Sequence, residues 1–232
     1  MLSLQLMTFN CKYCKNTFVK ETTLMSHMCE KKRRHLAKDD KQNRIAYQLW
    51  LQYRRMSMAN VKHDKPYDDF ADNKYFSGFM KLAKRIIDLN IKLPEDFLKF
   101  IVMNSVKMHD WSKDFVYEEY IKNMLKNESP DRAVERSIMH MKEWGELTGQ
   151  SWQDYFYSVP TTVALHDIKM GRISPWCTFA TDQGSRLIDR LDETQALELV
   201  NYLEPKAWKV RVKRHAQDAS WIQDVFNQAE IK

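Results

Sequence analysis

Residues 9–34 read FNCKYCKNTFVKETTLMSHMCEKKRR, and their spacing decides how the chain begins. Cys11 and Cys14 enclose two residues, the arrangement of a knuckle that turns both sulfurs toward one tetrahedral ion. Three residues separate Cys14 from Phe18, five separate Phe18 from Leu24, and two separate Leu24 from His27. That is the spacing of a ββα zinc finger through its first three ligands. Phe18 and Leu24 are the expected core, with His27 projecting from a short helix toward the thiolates. A unit this small has too little apolar surface to fold unaided, so a bound Zn2+ must supply the stability, roughly 10–16 kcal/mol in comparable peptides.

The fourth ligand departs from the finger pattern. A second histidine belongs beyond His27 after three to five intervening residues, and those positions hold Lys31, Lys32 and Arg33 instead. The alternatives are Cys29 and His35. Residues i and i+2 do not share a helical face, so Cys29 can ligate only if the helix ends or tightens near His27. His35 would need an extra turn to come back. Cys29 is preferred, because thiolate is the stronger zinc ligand and lies close at hand. The expected metal set is therefore Cys11, Cys14, His27 and Cys29.

Beyond the finger the charge is uneven. Residues 10–65 hold 14 Lys and Arg against 5 Asp and Glu, whereas residues 66–232 hold 23 against 26. Excess positive charge confined to the first quarter is the footprint of a protein that meets a polyanion there. The run Lys31, Lys32, Arg33 and Arg34 suits phosphate contact, which adds affinity without sequence choice. One finger covers only about 3 base pairs, so it serves equally as a protein-docking module. The four cysteines are too few for a disulfide framework in 232 residues, and three of them fall in the finger. They read as a metal site in a reducing compartment. No apolar run reaches the length of a membrane span and no secretory leader is recognisable. The expected location is the cytoplasm.

The rest of the sequence is helical in pattern. Five Gly and six Pro in 232 residues are lean punctuation, which favours long helices over many-turned sheets. Ile45, Leu49, Tyr53 and Met56 form one stripe of a helix that carries Arg44, Arg54 and Arg55 elsewhere. After Pro66, Asp68 or Asp69 caps a helix holding Phe70, Phe76, Phe79, Ala83 and Ile86. Pro94 opens another, Ser112 caps a fourth, and Ser129–Pro130 starts a fifth that stops at Gly149. Later helices are expected over 160–170, 174–181, 185–191, 193–203 and 205–229. The fold class is all-α: a two-part helical body preceded by a small ββα-type finger. The expected divisions are 1–36, 37–111 and 112–232. Cys177, beside Trp176, reads as a buried core thiol. Lys206, Lys209, Arg211, Lys213 and Arg214 form a second basic strip, either a solvated helix face or a contact for phosphate or a partner.

Catalytic motifs are sparse. There is no phosphate-binding Gly-x-x-x-x-Gly-Lys loop and no nucleophile elbow. His109, Asp110 and Asp114 resemble a fragment of a helical phosphohydrolase metal site, which would need His140, His166 or Asp167 brought in from elsewhere. Polar residues at helix boundaries explain the same letters more simply, and the chain is read as a non-enzyme.

Two stretches past the finger carry a resemblance. Residues 67–125 read YDDFADNKYFSGFMKLAKRIIDLNIKLPEDFLKFIVMNSVKMHDWSKDFVYEEYIKNML, and residues 165–192 read LHDIKMGRISPWCTFATDQGSRLIDRLD. In the first, Lys-Tyr-Phe leads into a helix, a Leu/Phe/Ile helix follows, then an Asn-x6-Trp spacer and Val-Tyr-x-x-Tyr-Ile. This order resembles the replicative helicase loader (helicase assembly protein) of T-even-type bacteriophages. The resemblance implies two helical domains, the first like the high-mobility-group DNA-binding fold. It implies binding to forked DNA and contacts with a replicative helicase and a single-strand-binding protein, without nucleotide hydrolysis, in the cytoplasm of a bacterial host. The expected DNA contacts are Lys31, Lys32, Arg33, Arg34, Arg44, Arg54 and Arg55, extended by Lys81, Lys84 and Arg85. The finger is an addition to the loader pattern. The rival readings are a zinc-finger transcription regulator or adaptor, and a metal-dependent nuclease or phosphohydrolase using His109 and Asp110.

Overall fold

A computed structural model describes residues 8–58, 61 and 63–232. Prolines open several of the helices, whereas the helix holding Phe70 starts behind Pro66, with Asp68 and Asp69 in its first turn rather than at its cap. The fold is all-α apart from one two-stranded antiparallel hairpin, and the chain divides into two compact units, 1–117 and 118–232. No helix among the described residues is long and apolar enough to cross a membrane.

The first unit starts with the hairpin, β1 (Phe9–Asn10) and β2 (Thr17–Phe18), in which Phe9 faces Phe18. Two short helices follow, α1 (Glu21–Ser26) and α2 (Glu30–Leu36), and then the long α3 (Lys41–Ser57). The expected helix over Phe70 to Ile86 is two helices, α4 (Tyr67–Ala71) and α5 (Phe76–Asp88). Pro94 starts α6 (Pro94–Met103), and α7 (Asp114–Asn127) runs across the boundary between the units. α3 lies against α5 and α6. Its buried face is Ala46, Leu49 and Trp50, with Met56 exposed. The apolar stripe is thus rotated from the expected one, because the bulky Trp50 ring takes the core position, 5.5 Å from Phe70. Phe79 completes this core against Tyr53 and Trp111 at 5.6 and 5.3 Å. The Trp111 indole donates to the Val106 carbonyl at 2.9 Å, so its one polar atom is satisfied where it is buried.

The second unit opens on the last turns of α7 and continues with α8 (Pro130–Thr148), whose end is Gly149 at φ 70, a left-handed stop that glycine adopts without strain. Then come α9 (Tyr155–Ser158), α10 (Thr161–Lys169), α11 (Pro175–Phe179), α12 (Asp182–Asp189) and α13 (Glu193–Leu203). Asp192 and Gln195 form a reciprocal capping box at the start of α13. The expected helix over 205–229 is two, α14 (Pro205–Arg214) and α15 (Ala216–Gln228), separated at His215. Trp176, Tyr155, Phe156 and Phe226 are the large buried side chains. Cys177 is fully buried among them, and that burial pushes its thiol up to about 12, which keeps it protonated in the core. α12 crosses α11 so closely that a Cβ on Gly184 would lie 2.3 Å from the Thr178 carbonyl oxygen, so only glycine fits there.

Candidate metal centre

The knuckle is built by backbone bonds alone. Cys11 N–H donates to the Asn16 carbonyl and Lys15 N–H to the Cys11 carbonyl, both at 2.9 Å. Lys15 completes the turn at φ 64, a left-handed position where glycine would be easiest. Phe18 leaves β2 and packs its ring 4.7 Å from that of His27. α1 stops at Ser26, and His27 has extended backbone at φ −67, ψ 122. The i, i+2 difficulty of a helix therefore disappears, because alternate residues of an extended segment face the same side. Cys29, two residues on, is at once the N-cap of α2 and a neighbour of Cys11, with its sulfur accepting from Lys32 N–H at 3.4 Å.

Cys11, Cys14, His27 and Cys29 present one ligand atom each, all within 4.8 Å of one another, a group that could hold a metal ion. Within the group Cys14 Sγ lies 3.2 Å from His27 Nε2 and Cys11 Sγ lies 4.0 Å from Cys29 Sγ. Tetrahedral bonds of ~2.3 Å to sulfur and ~2.0 Å to nitrogen put sulfurs about 3.8 Å apart and sulfur from nitrogen about 3.5 Å. The four atoms bracket these separations. The backbone N–H of Cys14 points at the Cys11 sulfur and lowers that thiol to about 7. Cys14 moves the other way: the Asn16 N–H favours its thiolate, but burial and the adjacent Cys11 and Cys29 sulfurs outweigh it. Neighbouring thiolates that disfavour one another's charge are the surroundings a divalent cation relieves.

His35 is turned away from this group. Its Nδ1 lies 2.9 Å from Asp68 Oδ1 on α4, and its ring lies 4.9 Å from that of Tyr13. The same interface fixes the finger to the helical part of the unit. Arg34 donates to the Ala71 carbonyl at 3.2 Å, Tyr67 donates to the Arg34 carbonyl at 2.8 Å, and Lys31 pairs with Asp72 at 3.3 Å. The finger is a built-in part of the first unit, joined through α2.

The expected DNA contacts separate into two groups. Arg33, Arg44 and Lys81 are exposed and have no ion-pair partner among the described residues. The others are engaged within the unit. Lys32 donates to the His27 carbonyl at 3.0 Å, Arg55 pairs with Asp64 at 2.6 Å and Lys84 with Asp88 at 2.8 Å. Arg85 pairs with Asp114, Arg34 also with Glu30, and Arg54 sits 5.1 Å over the Trp50 ring. In the second unit Arg211 leaves the exposed basic strip. It lies between Trp176 and Trp208, 5.0 and 4.7 Å away, and donates to the Lys126 carbonyl at 2.7 Å.

The sequence reading missed four residues around a cleft of about 670 Å³ beside the knuckle: Lys12, Tyr13, Lys15 and Lys38. Part of their signal was present as a lysine directly after each knuckle cysteine, Lys12 and Lys15, but what encloses the cleft comes from α2 and α4. The phosphohydrolase fragment is dispersed. His109 pairs with the adjacent Asp110, at 3.3 Å, and Asp110 is bound by Lys113 at 2.7 Å. Asp114 is held by Arg85, and among the described residues no group of three or more His, Cys, Asp or Glu includes His109. Asp167 is instead a buried structural carboxylate, contacted by His140 at 2.8 Å, Tyr155 at 2.9 Å and Arg172 at 3.0 Å. Comparison of the chain with protein-family models, with curated proteins and with solved structures finds no match.

Proposed function

We propose that the protein is a zinc-stabilised DNA-binding protein of replication, which binds forked or branched DNA and places a replicative helicase there. The observation that carries the DNA-binding part is the union, in one compact unit, of a Cys3His metal group with a surface of cations that lack carboxylate partners. Zinc is the metal of choice for three thiolates and one imidazole at tetrahedral spacing. Held by Cys11, Cys14, His27 and Cys29, it would lock the hairpin to α1 and to the start of α2. Its role there is structural, since all four positions are filled by protein. Arg33, Arg44 and Lys81 then contact phosphates on the body side. The loader assignment is supported by the resemblance of residues 67–125 and 165–192, which form α4 to α7 and α10 to α12. Contacts with helicase and single-strand-binding protein follow from that resemblance.

The test is the affinity of the zinc-loaded chain for a fork, a linear duplex and a single strand of the same sequence at one salt concentration. Clear preference for the fork, followed by helicase recruitment to it, is the expected result. Equal binding to all three would overturn the loader reading and leave a general DNA binder, whereas preference for one duplex sequence would favour a transcription regulator.

A further inference from the structure

The cleft beside the knuckle is a second kind of surface from the exposed cations of the helices. It is concave, about 670 Å³, and lined by the knuckle on one side and by α2 and α4 on the other. Four lysines reach its wall, Lys12, Lys15, Lys31 and Lys38, against two carboxylates, Asp68 and Asp72. Both carboxylates are already occupied, Asp68 by His35 and Asp72 by Lys31. Lys12, Lys15 and Lys38 have no carboxylate partner among the described residues. Three like charges gathered around one hollow repel each other, and an anion seated among them removes that repulsion. One of the three, Lys15, stands at a left-handed position, φ 64, that glycine would take more easily. The same wall carries one half-buried aromatic ring, Tyr13, with the Lys12 ammonium 4.8 Å from its centroid.

We propose that this cleft binds single-stranded DNA, with phosphates on Lys12, Lys15 and Lys38 and one base against Tyr13. Volume and shape favour a single strand over a duplex. The hollow is of a size that encloses a small ligand, ~300–1,000 Å³, which admits a nucleotide and excludes a double helix. A base in a duplex is stacked and paired, so Tyr13 cannot reach its face. Lysines along a groove with an aromatic platform are the two elements of sequence-independent single-strand recognition. The inference rests on the DNA-binding reading and deepens it: the finger holds the single-stranded arm, and the exposed cations of the helices hold the duplex.

The experiment is an anisotropy titration of the zinc-loaded full chain with a short oligothymidylate and with a hairpin duplex, across a series of salt concentrations. The Lys12→Gln/Lys15→Gln/Lys38→Gln variant is expected to bind the single strand at least tenfold more weakly. Its dependence of log affinity on log salt should be shallower by about 2, from ~0.7 per phosphate neutralised on single strands. Tyr13→Ala is expected to lose about tenfold on oligothymidylate and nothing on the hairpin, while Tyr13→Phe binds as wild type. Bound zinc, at one per chain in each variant, verifies that the finger is folded. Wild-type affinity and slope in the triple lysine variant would overturn the cleft assignment and leave the DNA-binding reading standing. So would equal losses of strand and hairpin together with an inert Tyr13→Ala, as expected if the cleft served an acidic protein segment or duplex phosphates. A wild-type chain that binds neither DNA would overturn both readings.

Discussion

Cys29 performs two tasks that a histidine at a more usual spacing could not combine. Its sulfur joins the ligand group, and the same residue caps α2, the helix that carries the finger onto α4. Cys29→Ala is therefore expected to abolish stoichiometric zinc binding and to loosen α2 together, whereas His35→Ala, which removes contacts with Asp68, Asp72 and the Tyr13 ring but no ligand atom, should keep one zinc per chain. Cobalt substitution separates the two cases, because thiolate-to-cobalt absorption falls with each sulfur removed. A Cys29→Ala chain that still takes up cobalt with an undiminished thiolate band would remove Cys29 from the ligand set. Acidity should act in the same direction. Metal binds thiolates, so each protonated ligand must release its proton first. Cys14 lies above the ordinary thiol value and Cys11 at about 7, so below pH about 7 both are protonated in the metal-free chain. Zinc affinity should fall more steeply there than at pH 8. Three of these ligands were legible from spacing, since covalent distance along a knuckle and one helical turn fixes where they go. Cys29 was only preferred, because nothing local marks the end of α1: no proline or glycine lies between Glu21 and Glu30. The partner of His35 was not legible at all, as Asp68 is 33 residues away.

Among the elements, α10 shows how the second unit is held. Asp167 is nearly inaccessible and ties α10 to α8 through His140, to α9 through Tyr155 and to the following turn through Arg172. Burial alone would raise its pKa, but the contacts from His140, Tyr155 and Arg172 outweigh it and hold the carboxyl below its usual value. A depressed carboxylate stabilises the fold above its unfolded pKa of ~3.9 and loses that contribution as pH falls through the lower folded value. Asp167→Asn is expected to lower stability at neutral pH by about 3 kcal/mol, the cost of stripping one partner from a buried pair. It should also flatten the decline of the urea midpoint between pH 5 and 3. A variant whose midpoint declines over that range as steeply as the wild type would place the acid sensitivity elsewhere. Helix starts were legible at Pro94, Pro130, Pro175 and Pro205 and at the Asp192 cap, but not at Asp68 or Asp69, which lie inside the first turn of α4 behind Pro66. Interior breaks were not. The turn at Asp72–Tyr75 and the break at His215 lie in stretches with helical periodicity, and packing decides them. His215 sits against Trp176, and Phe76 must turn its ring back to Phe70, 4.9 Å away. The rotation of the α3 stripe is of the same kind, decided by Trp50 finding Phe70 across the core.

At the scale of the whole chain, the two units differ in charge as well as in architecture. Residues 1–117 hold 22 Lys and Arg against 13 Asp and Glu, a net +9, while residues 118–232 hold 15 against 18, a net −3. A polyanion is attracted to the first and repelled on average by the second, even though the exposed Lys206, Lys209 and Lys213 of α14 look locally like a phosphate strip. Ion pairs on the first unit weaken this little, since exposed pairs contribute roughly 0–1 kcal/mol and exchange partners easily. The balance predicts where the salt dependence of DNA binding resides. Replacing Arg33, Arg44 and Lys81 together by glutamine should make the duplex slope of log affinity against log salt shallower by about 3, from ~0.9 for each phosphate no longer neutralised. Replacing Lys206, Lys209 and Lys213 should leave it as it is. If the α14 variant flattens the slope and the first-unit variant does not, α14 is the phosphate strip, and the duplex arm lies on the second unit.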